Sequence, residues 1–156
     1  MSRQPVTPDV LVRFSMEHEQ ALAALDRLQR AATALDHGDP AEPHLRTVRE
    51  VCETMCTTVW EHNDNEERAL FPLLGEDASC EPFRQEHQVL RELEHRLHTA
   101  LDGPTPERDI PPVAHALVDL LRAHIQREDE VLFPLARELL GAEGLERAAA
   151  LLRPVP

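Results

Sequence analysis

Aromatic residues are scarce in this chain: they make up 3% of 156 residues, and tyrosine is absent. Ile is also infrequent, whereas Leu, Ala, Glu and Arg dominate. Sheets draw on β-branched and aromatic side chains, while the abundant residues here favour helices. The composition therefore argues against a β-rich fold and predicts an all-α protein. The length suits one domain over residues 1–156.

The sequence also has fewer basic than acidic residues, 16 against 29, and it lacks long apolar runs. Its formal net charge is -13, which would repel nucleic-acid phosphates and anionic lipid. The opening residues, MSRQPVTPDV, contain no apolar targeting segment, and no run is long enough to span a bilayer. We therefore expect a cytoplasmic protein with no nucleic-acid or membrane partner.

Cysteine is too infrequent for a disulfide framework, because the chain has three cysteines, an odd number. Cys52 and Cys56 are one helical turn apart, which allows two interpretations. They are either a redox pair or small buried apolar residues, and the second is the commoner role of helical cysteines. We favour the second interpretation.

Four segments show helical periodicity, with Gly, Pro and Asp between them. The first follows Thr7, a predicted N-cap before Pro8, and runs to about Asp36. The other three predicted helices span about 41–71, 81–101 and 111–133, the last with a possible continuation to Gly141.

Proline is expected to interrupt the second helix at Pro72 and the fourth at Pro134, because it cannot join the helical hydrogen-bond ladder. Short connections between four long helices predict an up-down-up-down antiparallel four-helix bundle. Residues 144–154 are predicted to form a short C-terminal fifth helix that packs on one end.

The sequence contains an internal repeat. Residues 60–74 (WEHNDNEERALFPLL) and 121–136 (LRAHIQREDEVLFPLA) share a histidine, a glutamate four residues later, and then Leu-Phe-Pro. Residues 14–28 (FSMEHEQALAALDRL) similarly match 83–97 (FRQEHQVLRELEHRL). The first two helices therefore look like a copy of the last two, related by an approximate twofold axis.

Histidines and glutamates recur within the repeat at helical spacing. A histidine and a glutamate four residues apart share one helix face, about 6 Å from each other. If all four helices turn these faces inward, four imidazoles and two carboxylates meet near the middle of the bundle. The candidate metal ligands are His18, His62, Glu66, His87, His124 and Glu128.

Such a buried cluster needs a cation, because burying carboxylates without compensation costs several kcal/mol each. Imidazole and carboxylate together suit iron, manganese or zinc, and two carboxylates between two sets of imidazoles can bridge a pair of ions. A solvated hydrogen-bonded pair is the alternative for a single His-x-x-x-Glu, but two matched copies favour metal. The residues predicted to surround the site are Leu11, Phe14, Leu22, Leu25, Met55, Val59, Ala69, Phe83, Leu90, Leu117, Leu120, Leu121 and Val131.

These motifs make the sequence resemble the hemerythrin family, in the branch known as the hemerythrin HHE cation-binding domain. The resemblance covers residues from about 8 to 140. Its motifs are EHEQAL, HNDNEERALFP, EHQVL and HIQREDEVLFP in chain order.

The resemblance implies a four-helix bundle that holds two non-heme iron ions joined by two carboxylates and an oxo or hydroxo group. By this resemblance, His18 and His62 would bind one iron. His87 and His124 would bind the other, and Glu66 and Glu128 would bridge. The implied partner is a small molecule: dioxygen, peroxide or nitric oxide.

One position departs from the oxygen-carrying members of that family, which usually have a further histidine four residues after the third-helix ligand. Arg91 stands there in this chain. Four histidines leave both irons more open than five do. The expectation therefore moves from oxygen carriage toward oxidative or nitrosative stress, oxygen sensing or oxidase chemistry. Arg91 itself would either bind an iron-bound anion or pair with Glu94 or Glu86.

Two other functions stay open: a metal-responsive module without catalysis, and a di-iron oxidase of an organic substrate. Whether the chain is an enzyme, by peroxide decomposition or oxidation, is also open. A ferritin-like centre requires Glu-x-x-His on each of two helices, which this sequence does not have.

Several polar residues outside the six have weaker roles. Glu67 and Asp129 follow the ligand glutamates, where they either brace an imidazole or remain solvated. His98 lies three turns beyond His87, about 16 Å away, too far to share a metal. His37, His95 and His115 are predicted to be surface residues.

Overall fold

All regular structure in residues 9–152, the part that the computed structural model describes, is helical. The helices are α1 (Val10–Asp36), α2 (residues 41–74), α3 (Glu81–Leu101), α4 (residues 106–140) and α5 (residues 142–151). The first four form the bundle, and α5 is short. The predicted all-α bundle with a short C-terminal helix is confirmed.

Helix α1 begins at a side-chain cap. Asp9 precedes it, and its carboxylate accepts a hydrogen bond from the Val12 backbone N–H over 3.0 Å. Arg137 of α4 also contacts this carboxylate, and these contacts lower the pKa of Asp9 below its ordinary value. The predicted cap, Thr7, lies outside the described residues. The helix ends at Asp36, as predicted.

Helix α2 is one continuous rod with two widened turns. Its segments are Ala41–Thr54, Met55–Val59, Trp60–Asn65, Glu66–Leu70 and Phe71–Leu74, of which the second and fourth are π-helical. A π-helical turn accommodates one extra residue, and such turns are frequent at functional sites.

The proline of each Leu-Phe-Pro motif continues its helix, so the predicted interruptions are wrong. The N–H of Phe71 bonds to the carbonyl of Glu66, five residues back, directly before Pro72. Phe133 and Glu128 repeat this bond in the π-helical segment Glu128–Leu132 of α4. A proline ring clashes with the carbonyl four residues back in an α-helix, and the widened turn relieves that clash.

Helix α4 starts earlier than the sequence pattern predicts, at Pro106 instead of about residue 111. Proline is well tolerated at the first helical position, where its missing N–H would have no partner. Pro111 and Pro112 then lie inside the helix. Gly141 has φ 61°, a conformation that favours glycine, and it separates α4 from α5.

The bundle buries two apolar clusters, one at each end. Helix α1 packs against α2 and α4, and α3 packs against α4 and α2. One cluster is built on residues such as Leu28, Val51, Leu97 and Leu117. The other lies under the Leu-Phe-Pro turns and is covered by Leu145 and Ala148 of α5. None of the helices in the described chain combines the length and apolarity needed to cross a membrane.

The first cluster should dominate stability. Leu28 is fully buried, whereas Met16 on the same helix is 54% exposed. We expect Leu28→Ala to lower the free energy of unfolding by about 2–5 kcal/mol and Met16→Ala to change it by less than about 0.5 kcal/mol. Denaturant unfolding of both variants measures this, and equal effects would contradict the described packing of α1.

Candidate metal centre

All six candidate ligands lie between the two apolar clusters, and all are buried. Each of the four bundle helices contributes at least one of them. The side chains of the two glutamates are 0% exposed. The residues are His18 from α1, His62 and Glu66 from α2, His87 from α3, and His124 and Glu128 from α4.

The first half of the cluster joins α1, α2 and α4. The Nε2 atoms of His18 and His62 are 3.0 Å apart. His62 Nε2 lies 2.8 Å from Glu66 Oε1, and His18 Nε2 lies 3.0 Å from Glu128 Oε1. Both imidazoles therefore direct the same ring nitrogen at the two carboxylates.

The second half uses the same two glutamates. His124 Nε2 lies 3.3 Å from Glu128 Oε1, and His87 Nε2 lies 3.8 Å from Glu66 Oε1. The structure thus contains two groups of four possible ligands, each with two histidines and both glutamates. Within each group the ligand atoms lie within 4.8 Å of one another.

Carboxylates outside the cluster hold the opposite ring nitrogen of two histidines in the first half. His18 Nδ1 is 2.8 Å from Asp129 Oδ1, and His62 Nδ1 is 3.0 Å from Glu17 Oε1. An Nδ1–H that donates to a carboxylate leaves the Nε2 lone pair free for a metal. Asp129 therefore contacts an imidazole of the cluster, as the first of its two predicted roles requires.

The second half repeats these contacts with longer distances. His124 Nδ1 is 3.3 Å from Glu86 Oε1, and His87 Nδ1 is 3.7 Å from Glu67 Oε1, too long for a hydrogen bond. The sequence did not predict that Glu17 and Glu86 would contact the Nδ1 atoms of these histidines. The only pattern in the sequence that points to these two glutamates is that each directly precedes a histidine of the cluster. The histidine that each glutamate contacts lies on another helix.

All four phenylalanines of the chain pack on these imidazoles. In the first half, Phe133 stacks on His18 at 5.3 Å between ring centroids, and Phe14 meets His62 edge-on at 5.0 Å. In the second half, the corresponding pairs are Phe71 with His87 and Phe83 with His124. The phenylalanine of each Leu-Phe-Pro motif therefore stacks on a histidine that comes from the other copy of the sequence repeat. This contact gives the repeated motif a structural role.

Burial and mutual contact shift the pKa values of the cluster. Burial and the charge of Glu128 raise the pKa of Glu66 well above its ordinary range. Burial opposes ionisation of Glu128, yet its contacts with Glu66 and the histidines hold its pKa well below the ordinary range. Burial also lowers the pKa of His87 to about 3, and the nearby His124 adds to this effect. His87 is therefore a neutral imidazole, the form that binds metal.

Several buried polar atoms of the cluster have no hydrogen-bond partner within the described chain. They include Oε2 of Glu66, Oε2 of Glu128 and Nε2 of His87. Buried polar atoms without partners are strongly unfavourable, and an ion bound by lone pairs would satisfy them all. The nitrogen and oxygen donors fit iron, manganese or zinc. The residues therefore fit a metal centre.

Two neighbours of the cluster differ from expectation. Val131, predicted to face the site, is 60% exposed, whereas Leu132 beside it is buried. Arg91 pairs with neither of the predicted glutamates: its guanidinium lies over the Trp60 ring, 5.4 Å from the centroid. Its other predicted role, binding an anion at the centre, stays a prediction.

The remaining cysteines and histidines agree in part with prediction. Cys52 is buried, as predicted, but Cys56 is exposed. His37 and His95 are exposed, as predicted. His115 is partly exposed, and its Nε2 contacts Asp36 Oδ2 at 2.8 Å.

A helical bundle with a buried layer of histidines and carboxylates defines a class of metal-binding proteins. Residues 9–136 match the family described as the hemerythrin HHE cation-binding domain. This chain belongs to that family, and it is a metal-binding module by membership and by its buried clusters. In the same comparisons, no curated protein and no solved structure matches the chain.

The buried glutamates should stabilise the protein only when metal is present. Without metal, we expect the free energy of unfolding of the double variant Glu66→Met with Glu128→Met to equal or exceed that of the parent chain. The reason is that apolar replacement of buried charge is neutral or stabilising. Added ferrous iron should stabilise the parent by about 4 kcal/mol at a thousandfold excess over Kd, and the variant not at all. Denaturant unfolding with and without iron measures both quantities.

The matched control changes two exposed glutamates, Glu19→Met with Glu92→Met, and should keep the full iron-dependent gain. A large loss of stability in the metal-free Glu66/Glu128 variant would mean that these carboxylates support the fold instead of a metal.

Proposed function

We propose that this protein holds two non-heme iron ions between its four bundle helices and binds or reacts with dioxygen, peroxide or nitric oxide. The observation that carries the proposal is the pair of four-residue groups that share Glu66 and Glu128. A carboxylate in contact with histidines of both halves is what a bridging ligand requires. Bound iron supplies redox chemistry toward these small molecules.

The six residues would divide between the two ions according to their contacts. His18 and His62 would hold one ion, and His87 and His124 the other. The two glutamates would hold both, since each lies within 4 Å of a histidine in either half. Iron is preferred over manganese and zinc because the family resemblance points to it, and the donor set alone fits all three.

The chain's own residues would orient the ligands and keep water out. Asp129 and Glu17 hold the Nδ1 side of two imidazoles, which directs their Nε2 atoms inward. The phenylalanine rings cover the imidazole faces. A dry, low-dielectric surround strengthens the attraction between ligands and cation.

A small cavity adjoins the first half of the cluster. Its volume is about 10 Å³, the room that roughly one water molecule requires. Its walls include His18, His62, Ala21, Val59 and Leu121. Such a cavity suits a diatomic molecule or peroxide better than an organic substrate. It therefore favours the small-molecule function over the oxidase alternative.

The physiological role that we propose is in oxidative or nitrosative stress or in oxygen sensing, and the cytoplasmic location stays a prediction. A metal-responsive module without catalysis is the other candidate. Adding peroxide to the iron-loaded protein separates them: catalytic release of oxygen supports turnover. Stoichiometric bleaching of the iron absorption supports binding alone.

Metal content tests the proposal directly. Protein purified after iron-replete growth should contain two irons per chain and show near-ultraviolet charge-transfer absorption. His62→Ala removes one proposed ligand and should lower both the iron content and the charge-transfer absorption. His95→Ala is the control, because His95 is an exposed imidazole on α3. Less than one iron per chain in the parent protein, without this absorption, would refute the proposal.

The cavity makes a separate prediction about ligand access. Ala21 lines it, so Ala21→Val should fill space beside His18 and lower the rate and affinity of nitric oxide binding, with the iron content unchanged. Ala24→Val is the matched control: Ala24 lies on the same helix, is buried to the same degree, and does not line the cavity. Equal nitric oxide kinetics in both variants would show that ligands do not enter there.

A further inference from the structure

A second group of metal-ligating side chains lies outside the candidate centre. It consists of Cys56, Glu94 and His98, whose ligand atoms lie within 4.8 Å of one another. Glu94 and His98 are one turn apart on α3, so they share a face. Cys56 faces them from the π-helical turn Met55–Val59 of α2. The group therefore combines a thiol, an imidazole and a carboxylate from two helices.

The separations within this group are close to those around a tetrahedral ion. The sulfur of Cys56 lies 3.6 Å from His98 Nε2, and that nitrogen lies 3.3 Å from Glu94 Oε1. Zinc bond lengths place ligand atoms about 3.4–3.6 Å apart around a tetrahedral ion. The thiol donates a hydrogen bond to Glu94 Oε1 over 2.7 Å, so this one contact has to lengthen by about 0.8 Å.

A neighbouring indole orients the carboxylate. Trp60 Nε1–H donates to Glu94 Oε2 over 3.0 Å, which leaves Oε1 directed at the thiol and the imidazole. The Arg91 guanidinium lies over the face of the same indole, 5.4 Å from its centroid, at a distance where a cation attracts an aromatic ring. Partners that orient a ligating carboxylate in this way are typical of metal sites.

The group is reachable from solvent on one side. The Glu94 side chain is only 8% exposed, whereas that of His98 is 40% exposed, and Cys56 is also exposed. A cation can therefore approach from the side of the thiol and the imidazole, with room for a water molecule as a further ligand. The net charge of -13 favours the approach of cations over anions.

We propose that Cys56, Glu94 and His98 form a second, mononuclear metal site for a thiophilic divalent cation of the Zn²⁺ class. Sulfur, nitrogen and oxygen donors together select zinc over magnesium or calcium, which prefer oxygen alone. Three protein ligands leave the fourth tetrahedral position to water. The ion binds the Cys56 thiolate, and the thiol proton leaves to solvent.

The thiol is protonated before the ion arrives. Desolvation and the hydrogen bond to the Glu94 carboxylate raise the pKa of Cys56 to about 11. At neutral pH the thiol therefore donates its proton to the hydrogen bond with Glu94. The bound ion replaces this proton between the sulfur and the carboxylate oxygen.

This site is separate from the candidate centre. Glu94 follows His87 by seven residues on α3, which corresponds to about 10 Å along the helix. The π-helical turn that contains Cys56 also has no copy in the repeat, since the matching stretch of α4 lies in the α-helical segment Pro106–Arg127. The group is thus a feature of the first half alone.

Cobalt titration tests the site, because only a cysteine ligand gives thiolate-to-cobalt charge-transfer absorption and the candidate centre has no cysteine. In the full-length, iron-loaded protein, we expect this absorption to saturate at one Co²⁺ per chain. Zn²⁺ should abolish it, and Mg²⁺ or Ca²⁺ should not. Cys56→Ser and His98→Gln should lack it, whereas His95→Gln, an exposed histidine on the same helix, should keep it.

Two further variants make the test decisive. Trp60→Phe removes the N–H that orients Glu94 and should weaken Zn²⁺ binding about tenfold, while the fold and the thiol remain. His62→Ala should keep the cobalt absorption, which separates failure at this site from failure at the iron centre. No charge-transfer absorption in the parent protein, or equal absorption in His98→Gln and His95→Gln, would overturn the proposal.

Discussion

The structure depends on two carboxylates buried in the middle of a helical bundle. Glu66 and Glu128 have no exposed side-chain surface, and four imidazoles surround them. Burial alone would drive both to the protonated form, but their surroundings pull the pKa values apart, upward for Glu66 and downward for Glu128. The apolar clusters on either side enclose this polar layer, and its atoms without hydrogen-bond partners leave a place for a cation.

The widened helical turns show how the sequence builds that layer. Each of the two buried glutamates opens a π-helical segment that ends at the leucine of Leu-Phe-Pro. The proline that follows would break an ordinary helix, yet here it stabilises a turn that already lacks the regular hydrogen bond. The phenylalanine then lies against a histidine of the opposite half. One short motif therefore sets the position of a buried glutamate, the shape of its helix and the cover over a buried histidine.

Much of this could be predicted from the sequence, because helical periodicity and spacing are local signals. The four helices, the short fifth helix and the meeting of six polar side chains follow from residues three or four apart on one face. The π-helical turns could not be predicted in this way, since a 3.6-residue period has no place for an extra residue. The prediction for Val131 was also wrong: it is exposed, although Ala69 at the matching position of the repeat is buried.

Contacts between side chains of different helices also could not be predicted from the sequence. Glu17 lies beside His18 in the chain but holds His62 of another helix, and only the packing of α1 on α2 brings them together. The early start of α4 at Pro106 was missed because the Pro111-Pro112 pair looks like a helix start. The cluster of Cys56, Glu94 and His98 also requires two helices in register, so neither the cysteine pattern nor the histidine spacing alone indicated it.

The duplicated halves differ at one wall of the cavity. Three residues after His18 stands Ala21, and three residues after His87 stands Leu90, which is buried. On the proposed centre, ligand exchange would be fast at one ion and slow at its twin, although both have the same donor atoms. Leu90 has three more side-chain carbon atoms than Ala21, so two halves that share a sequence pattern would differ in the space that they leave for a ligand.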